Sequence, residues 1–243
     1  MRGYGQMCPV ARASETFAER WTPLILREIL AGRQHFNEIQ QGLHRISPSV
    51  LGARLRALEQ AGIIERGPNP SGRGHTYHLT KCGADLGELV EALGVWGQRW
   101  LELRREHLNA EFLMWRLYTQ LQVDQFPRRR VVIRFRFQDE PRAYWLVLRR
   151  PDPDLCFSDP GFDEDLAVDA ELEALTRVYL GHMRLADAIH ARLVQVEGDR
   201  QLVRAFPHWI GLSHFAAHAP LKGYRAPAMS TQVSGGVPTA GRS

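Results

Sequence analysis

Hydroxyl and guanidinium side chains that could bind nucleic acid are concentrated in residues 47–61, SPSVLGARLRALEQA. Ser49 and Arg54 come early enough to meet base edges or phosphate oxygens, and Arg56 suits a phosphate contact. For each single arginine, a solvated charge is an equal alternative. The stretch therefore predicts non-covalent recognition of double-stranded DNA. Its candidate contact residues are Ser47, Pro48, Ser49, Gly52, Ala53, Arg54 and Arg56.

A helix must position these side chains. Leu51, Leu55 and Leu58 recur at helical spacing and would form its buried face. Ser47 can cap this helix, and Pro48 would stand at its first position, where a missing N–H costs nothing. Because a shorter helical pattern over residues 36–43 precedes it, the spacing predicts a helix-turn-helix.

A strand pair follows the second helix. Residues 64–66 and 75–79 have strand character and are joined by the loop GPNPSGRG. Arg73 and His75 flank Gly74 in this hairpin, where they suit entry into a minor groove or contact with the phosphate backbone. Helix, turn, helix and hairpin together predict a winged helix-turn-helix.

Chemistry other than DNA binding has weak support. Cys8, beside Pro9 at the start of the first predicted helix, is a candidate redox sensor, with a structural cysteine packed under a dimer as the alternative. Cys82 and Cys156 are expected to be small buried residues. No phosphate-binding glycine loop, nucleophile elbow or zinc-helix motif occurs, and the histidine pairs lack a third metal ligand. We therefore expect that the protein is not an enzyme and that it binds neither a metal ion nor a cofactor.

A long helix is predicted after the hairpin, with Thr80 as its cap. Its apolar residues follow three heptads of a and d positions, the pattern with which two helices pack along each other. The helix could instead cover the core of its own domain, but two tryptophans so far from a small core favour a homodimer. The seam residues are Leu86, Leu89, Leu93, Trp96, Trp100 and Leu103.

The second half of the chain changes character. Asn109 resembles a new helix cap, and residues 133–137 then alternate between apolar side chains and arginines, as in a half-buried strand. Further strand and helix patterns predict an α+β fold with a mostly antiparallel sheet. The expected division is a winged-helix and dimerisation domain over residues 1–108, a second domain over 109–222, and a disordered tail over 223–243.

Composition and charge restrict the protein class further. There is no run of about 18 apolar residues that could span a membrane, no apolar signal-peptide core, and no disulfide framework among three distant cysteines. We therefore expect a cytoplasmic protein with no membrane partner. The net charge is +4, but residues 127–150 hold eight arginines and residues 151–174 hold nine acids. These segments are expected to form two solvated faces.

Residues 8–105 closely resemble the HxlR-type branch of bacterial winged-helix regulators. That resemblance implies cytoplasmic homodimers that bind pseudo-palindromic operators, usually as repressors. Gly52 departs from it, because the family usually has threonine or another polar residue there. The matching pieces are Cys8-Pro9, Arg20-Trp21-Thr22, Leu26-Arg27-Glu28, Arg33 with Phe36, Ile46-Ser47-Pro48, Arg54-Leu55 with Leu58-Glu59, Tyr77 with Leu79-Thr80 and Gly83, and the long helix to Trp96.

Residues 120–219 resemble the sterol-carrier-protein type of lipid-binding domain. That resemblance implies a sheet and helices around an apolar tunnel, whose candidate wall residues are Trp145, Leu180, Met183 and Trp209. The matching pieces are Trp145, Cys156 with Asp159-Pro160-Gly161, the strand at 165–168, Val178-Tyr179-Leu180-Gly181, and Gly198 with Leu202.

Two functions follow from these patterns. The first is a dimeric DNA-binding repressor whose second domain senses a hydrophobic small molecule or a partner. The second is a lipid carrier that uses the winged helix for dimerisation or protein docking, and Gly52 together with the modest net charge leaves room for it.

Overall fold

The computed structural model describes residues 3–69, 72 and 74–218. Arg73 of the predicted wing and the predicted tail at 223–243 lie outside the described residues. The first part of the chain forms four helices and a hairpin whose strands pair antiparallel. These elements are α1 (Pro9–Phe17), α2 (Thr22–Leu30), α3 (Phe36–Gly42), α4 (Pro48–Gln60), β1 (Ile64–Pro68) and β2 (His75–Leu79).

The helix-turn-helix consists of α3 and α4. The N terminus of α4 forms as its sequence predicts, since Ser47 Oγ accepts a hydrogen bond from Val50 N at 3.3 Å and Pro48 begins the helix. Leu51, Leu55 and Leu58 are almost fully buried, which fixes α4 on the core. That core also contains Ile25, Leu26, Ile29, Ile39, Leu43, Ile46, Ile63, Ile64 and Val90.

The prediction of one long helix after the hairpin is wrong. Thr80 does cap a helix, accepting from Gly83 N at 3.1 Å, but the chain forms α5 (Lys81–Asp85) and a separate α6 (Gly87–Trp100). A Cβ at Gly83 would lie 2.0 Å from the carbonyl oxygen of Ile63, the residue before β1, so α5 is held close against the start of this strand. The seam is correspondingly shorter, because Leu86 lies at the break and Leu103 lies beyond the end of α6.

The second part of the chain is built on a five-stranded sheet. Asn109 caps α7, accepting from Phe112 N at 2.7 Å as its sequence predicts. The strand order is β5-β4-β3-β6-β7, and only the β3–β6 pair is parallel, which confirms the α+β class with a mostly antiparallel sheet. The elements are α7 (Ala110–Tyr118), β3 (Val131–Phe137), β4 (Ala143–Leu148), β5 (Asp154–Cys156), β6 (Leu166–Ala170), α8 (Leu172–Tyr179), α9 (Leu185–His190), β7 (Val194–Gly198) and α10 (Arg200–Ala205).

The sheet has one apolar and one charged face. Ile133, Phe135 and Leu146 belong to the core of the second part, whereas Arg134 and Trp145 lie on the opposite face. The arginine-rich and acidic segments meet on and beside that face. The expectation of two separate solvated faces is therefore wrong, because the two segments pair with each other. The ion pairs are Arg129–Asp165 at 2.7 Å, Arg134–Glu164 at 2.8 Å, Arg149–Asp154 at 2.7 Å and Arg136–Asp169 at 3.8 Å.

A buried carboxylate joins the two parts of the chain. Glu28 of α2 is 0% exposed and accepts a hydrogen bond from Arg27 Nε at 2.7 Å. Arg33 approaches the same carboxylate to 2.9 Å, and Arg116 of α7 approaches it to 3.5 Å. Since Arg116 Nε also donates to the Tyr179 hydroxyl at 3.3 Å, the network continues from the winged helix to α8.

A second junction covers one side of α6. Gln98 donates to the Leu180 carbonyl oxygen at 2.6 Å, and His214 lies 2.9 Å from Glu91. A Cβ at Gly94 would stand 2.2 Å from the ring of Phe215, so the absent side chain is what admits this ring. The predicted boundary at Asn109 thus lies between two separate hydrophobic cores, and the two parts of the chain that hold them are in contact. Among the residues the structure describes, none of the helices is both long and apolar enough to cross a bilayer.

Candidate nucleic-acid interface

The start of α4 offers an exposed polar surface. Ser47, Pro48, Ser49, Ala53 and Arg56 are all exposed, as expected for a helix that enters a groove. The two serine hydroxyls lie 3.1 Å apart. Because Ser47 is already used as the cap, Ser49 has the freer hydroxyl for a base or phosphate contact.

Arg54 is placed differently from the other candidates. Its Nη2 lies 2.6 Å from Glu19 Oε2, and both side chains are only about a quarter exposed, at 25% and 23%. It therefore lies on the flank of α4 and joins this helix to the segment between α1 and α2. A base contact by Arg54 would require this ion pair to open or to share its guanidinium.

Gly52 leaves room beside Arg56. A Cβ at Gly52 would meet Arg56 Nη1 at 3.5 Å, which is an ordinary contact distance. Gly52 itself offers no side chain, so Arg56 is the exposed cation on this part of the helix surface.

The hairpin is held against the end of α4. Arg66 Nε donates to both carboxylate oxygens of Glu59, at 2.8 and 2.9 Å, and this pairing lowers the pKa of Glu59 and raises that of Arg66. His75 is exposed and pairs with Pro68, the last pair of the hairpin before its connecting loop.

Sequence reasoning missed three residues of this surface. Val50 is 41% exposed in the first turn of α4, and Arg45 is exposed in the turn before it with a φ of 71°. Helical spacing could have found Val50, which lies off the leucine stripe. The role of Glu19 had no local signal, because its partner Arg54 is far along the chain.

Comparison with known proteins agrees with this geometry. The model of the HxlR-like helix-turn-helix family matches residues 16–105. The HTH-type transcriptional regulator YvaP of Bacillus subtilis is 32% identical over 99 residues, an alignment that covers 40% of this chain and 92% of YvaP. The chain belongs to the HxlR-like helix-turn-helix family.

Two further similarities concern longer or different proteins. An HTH-type transcriptional regulator of Mycobacterium bovis is 40% identical over 93 residues, which cover 38% of this chain and 58% of that relative. The chain thus spans little more than half the length of that relative. The solved structure of UbiJ-SCP2, a ubiquinone synthesis protein, has a TM-score of 0.30 and 23% identity, covering 39% of this chain and 78% of that one. A TM-score of this size carries no argument about the fold.

The seam of this HxlR-like chain is largely exposed on α6. Leu89, Leu93 and Trp96 are 45%, 48% and 53% exposed, while Trp100 is half-buried. Leu86 and Leu103 are also half-buried but lie outside α6. The apolar stripe therefore remains uncovered on the side of α6 away from Phe215, which accords with the predicted dimer contact without testing it.

The three cysteines of this HxlR-like protein are free thiols. Cys8 is exposed and immediately precedes α1, so it is accessible to an oxidant or to a second chain. Cys156 is half-buried, with its pKa raised by burial and by Asp154. The expectation that Cys82 is buried is wrong: it occupies the solvent side of α5 and is exposed.

The four predicted tunnel residues do not come together. Trp209 is 2% exposed and belongs to the core of the second part, where its Nε1 donates to the Gln125 carbonyl oxygen at 3.0 Å. Leu180 and Met183 pack against that core. Trp145 lies on the other face of the sheet, where its Nε1 donates to Glu164 at 3.0 Å. Trp145 therefore cannot share a wall with the other three.

Proposed function

We propose that the protein is a transcriptional regulator, acting as a repressor, that binds a pseudo-palindromic DNA operator as a homodimer in the cytoplasm. The observation that carries this proposal is the exposed, capped α4 beside a wing in a member of the HxlR-like family. The relatives compared above are named as transcriptional regulators, which supports the same reading.

DNA would be contacted first by the N-terminal turns of α4. Ser49 is exposed there, and the amide groups of this helix end favour a phosphate, while Arg56 is exposed further along the same helix. His75 and Arg73 of the wing would reach the neighbouring backbone or minor groove. Arg54 would help by keeping α4 in place through Glu19.

Dimerisation would place two copies of α4 on one side of the duplex. Exposed Leu89, Leu93 and Trp96 supply the apolar surface for a second copy. Successive major grooves on one side of B-DNA are separated by about 34–36 Å, which sets the required distance between the two helices.

The second part of the chain would serve as a sensor of a hydrophobic molecule or a protein partner. Helix α7 contacts the winged helix through the Arg116–Glu28 ion pair, so a movement of α7 would shift Glu28 and α2. Cys8 is proposed as a redox sensor on the same molecule, since it is exposed beside α1. Peroxide should then weaken DNA binding, and Cys8→Ser should abolish that sensitivity.

The test is fluorescence anisotropy with the DNA upstream of the protein's own gene, at several salt concentrations. Arg56→Ala should weaken binding and lower the slope of log K against log salt by about one, because one phosphate contact is lost. Arg200→Ala is the matched control, since Arg200 is an exposed arginine of α10 far along the chain. If the protein does not bind this DNA at low salt, the proposed role as a transcriptional regulator is refuted and the lipid-carrier role is favoured.

A further inference from the structure

A cavity of about 440 Å³ lies between the winged helix and the second part of the chain. One wall is formed by Glu38 and Gln41 of α3 and by His44 in the turn that follows this helix. The other is formed by α7 and by β5 with the residue after it, Phe157. Its volume falls within the range of about 300–1,000 Å³ that is usual for small-molecule sites, and such sites often lie between domains.

The lining of this cavity combines aromatic rings with carboxylates. Four aromatic residues contribute, namely Phe112, Trp115, Tyr118 and Phe157. The acids are Glu38, Glu111 and Asp154, and neither lysine nor arginine is among the described residues that line the cavity. Aromatic faces and carboxylates together attract a cation that carries an apolar body, through ring quadrupoles and charge.

The three carboxylates are not equally available. Glu38 Oε2 accepts from the backbone N–H groups of Gln34 and His35, both at 3.1 Å, and Asp154 pairs with Arg149 at 2.7 Å. Glu111 makes no hydrogen bond or ion pair to any described residue and is exposed at the cavity. Glu111 is therefore the carboxylate that is available to pair with a charged ligand.

Two lining side chains also have unused polar atoms. His44 Nε2 and Trp115 Nε1 are both buried and have no hydrogen-bond partner among the described residues. Leaving such atoms unpaired is costly, so a molecule that offers them a partner gains affinity. Burial and the neighbouring Arg45 lower the pKa of His44, which favours the neutral ring that does not repel a cation.

From this geometry we infer that the cavity binds an amphipathic organic cation, an amine or quaternary ammonium attached to a flat, mainly apolar group with a hydroxyl that can pair with His44 Nε2 or Trp115 Nε1. The ammonium lies near Glu111, and the apolar group lies among Phe112, Trp115 and Phe157. This ligand differs from the neutral apolar molecule expected for a tunnel in the second part.

Binding here would reach the DNA-binding surface directly. The α3 wall is the first helix of the helix-turn-helix, and the opposite wall belongs to the second part. A ligand wedged between them changes the position of α3, and with it α4. This regulatory consequence rests on the proposed function, whereas binding itself does not.

Isothermal titration calorimetry on the full-length protein tests the site with two probes, hydroxybenzyltrimethylammonium and its uncharged isostere neopentylphenol. The two molecules differ only in the atom that carries the three methyl groups, which is a charged nitrogen in the first and a neutral carbon in the second. The cation should bind roughly tenfold more tightly than the isostere. Glu111→Gln should weaken the cation by roughly threefold to tenfold and leave the isostere unchanged. Glu106→Gln is the control, because that acid is 69% exposed and lies outside the cavity.

Phe157→Leu provides a second variant that should fold, since Phe157 is 48% exposed. It should weaken the cation a few-fold by removing one aromatic face. Equal affinity for the two probes, no binding of either, or binding of the cation that ignores both variants would overturn the assignment. Separate anisotropy measurements on operator DNA distinguish the two ideas: DNA binding without cation binding refutes the site alone, and cation binding without DNA binding refutes the proposed function alone.

Discussion

Two half-buried histidines make stability depend on pH at the scale of single residues. Burial, then Arg45 beside His44 and Arg177 beside His182, lowers the pKa of both rings. At acidic pH the unfolded chain therefore binds more protons than the folded protein. The contribution of these histidines to the free energy of unfolding is fully present above the pKa of an unfolded histidine, about 6.5, and is lost as the pH falls below it. Urea unfolding at about pH 7.5 and about pH 5.5 should show this loss. The His44→Gln/His182→Gln double variant should lose less, whereas His190→Gln, at an exposed position, should behave as wild type.

Glu28 should be among the most costly residues to change. It is the carboxylate between Arg27, Arg33 and Arg116, and burial lowers the pKa of Arg27 and Arg33 while Glu28 opposes that effect. Glu28→Gln leaves these guanidinium groups without their counter-charge, so the free energy of unfolding should fall by about 3–5 kcal/mol. Chemical denaturation measures this loss, with exposed Glu106→Gln as the control. A loss below about 1 kcal/mol would show that the arginines are solvated.

At the scale of elements, two helical glycines should respond to alanine in opposite directions. Gly52→Ala adds a methyl group whose nearest neighbour, Arg56 Nη1, lies at the ordinary contact distance of 3.5 Å. The better helix propensity of alanine should therefore stabilise the protein by roughly 0.5–1 kcal/mol. Gly94→Ala would drive a methyl group into the ring of Phe215, so it should destabilise. Thermal unfolding of the two variants under one condition tests both signs. A stabilising Gly94→Ala would contradict the packing described for α6, and a destabilising Gly52→Ala would contradict the space described on α4.

The stripe on α6 leads to a prediction about assembly. Trp96→Glu places a charge at the centre of the exposed apolar surface, so a dimer formed there should dissociate into monomers. Leu212→Glu changes a residue of similar exposure, 49%, in a loop outside α6 and should leave the dimer intact. Sedimentation velocity distinguishes the two outcomes. A Trp96→Glu protein that stays dimeric would mean that other residues form the interface.

Local sequence signals predicted most elements but not their mutual contacts. Ser47, Thr80 and Asn109 act as caps because a cap depends on residues only three positions away. The break at Leu86 was missed because Gly83 contacts Ile63, a residue outside the heptad pattern. Trp145 was misplaced because β4 has apolar side chains on both faces. The cavity between α3 and α7 had no sequence signal, since its walls meet only when the two parts of the chain pack together.

At the scale of the whole molecule, the contacts between the two cores should make unfolding a single event. Arg116 reaches Glu28, Gln98 binds the Leu180 carbonyl oxygen, and Phe215 packs on Gly94. Calorimetry should therefore show one transition for the wild-type chain, because neither core can unfold without breaking these contacts. Phe215→Ala removes the ring that packs on Gly94, so the two parts of the chain should then melt in separate transitions. Phe162→Ala, at a 41% exposed position, is the control and should leave a single transition. Two transitions in the wild type would mean that the junction is too weak to carry a signal from the second part to α4, and the sensor role would then fail even if DNA binding stands.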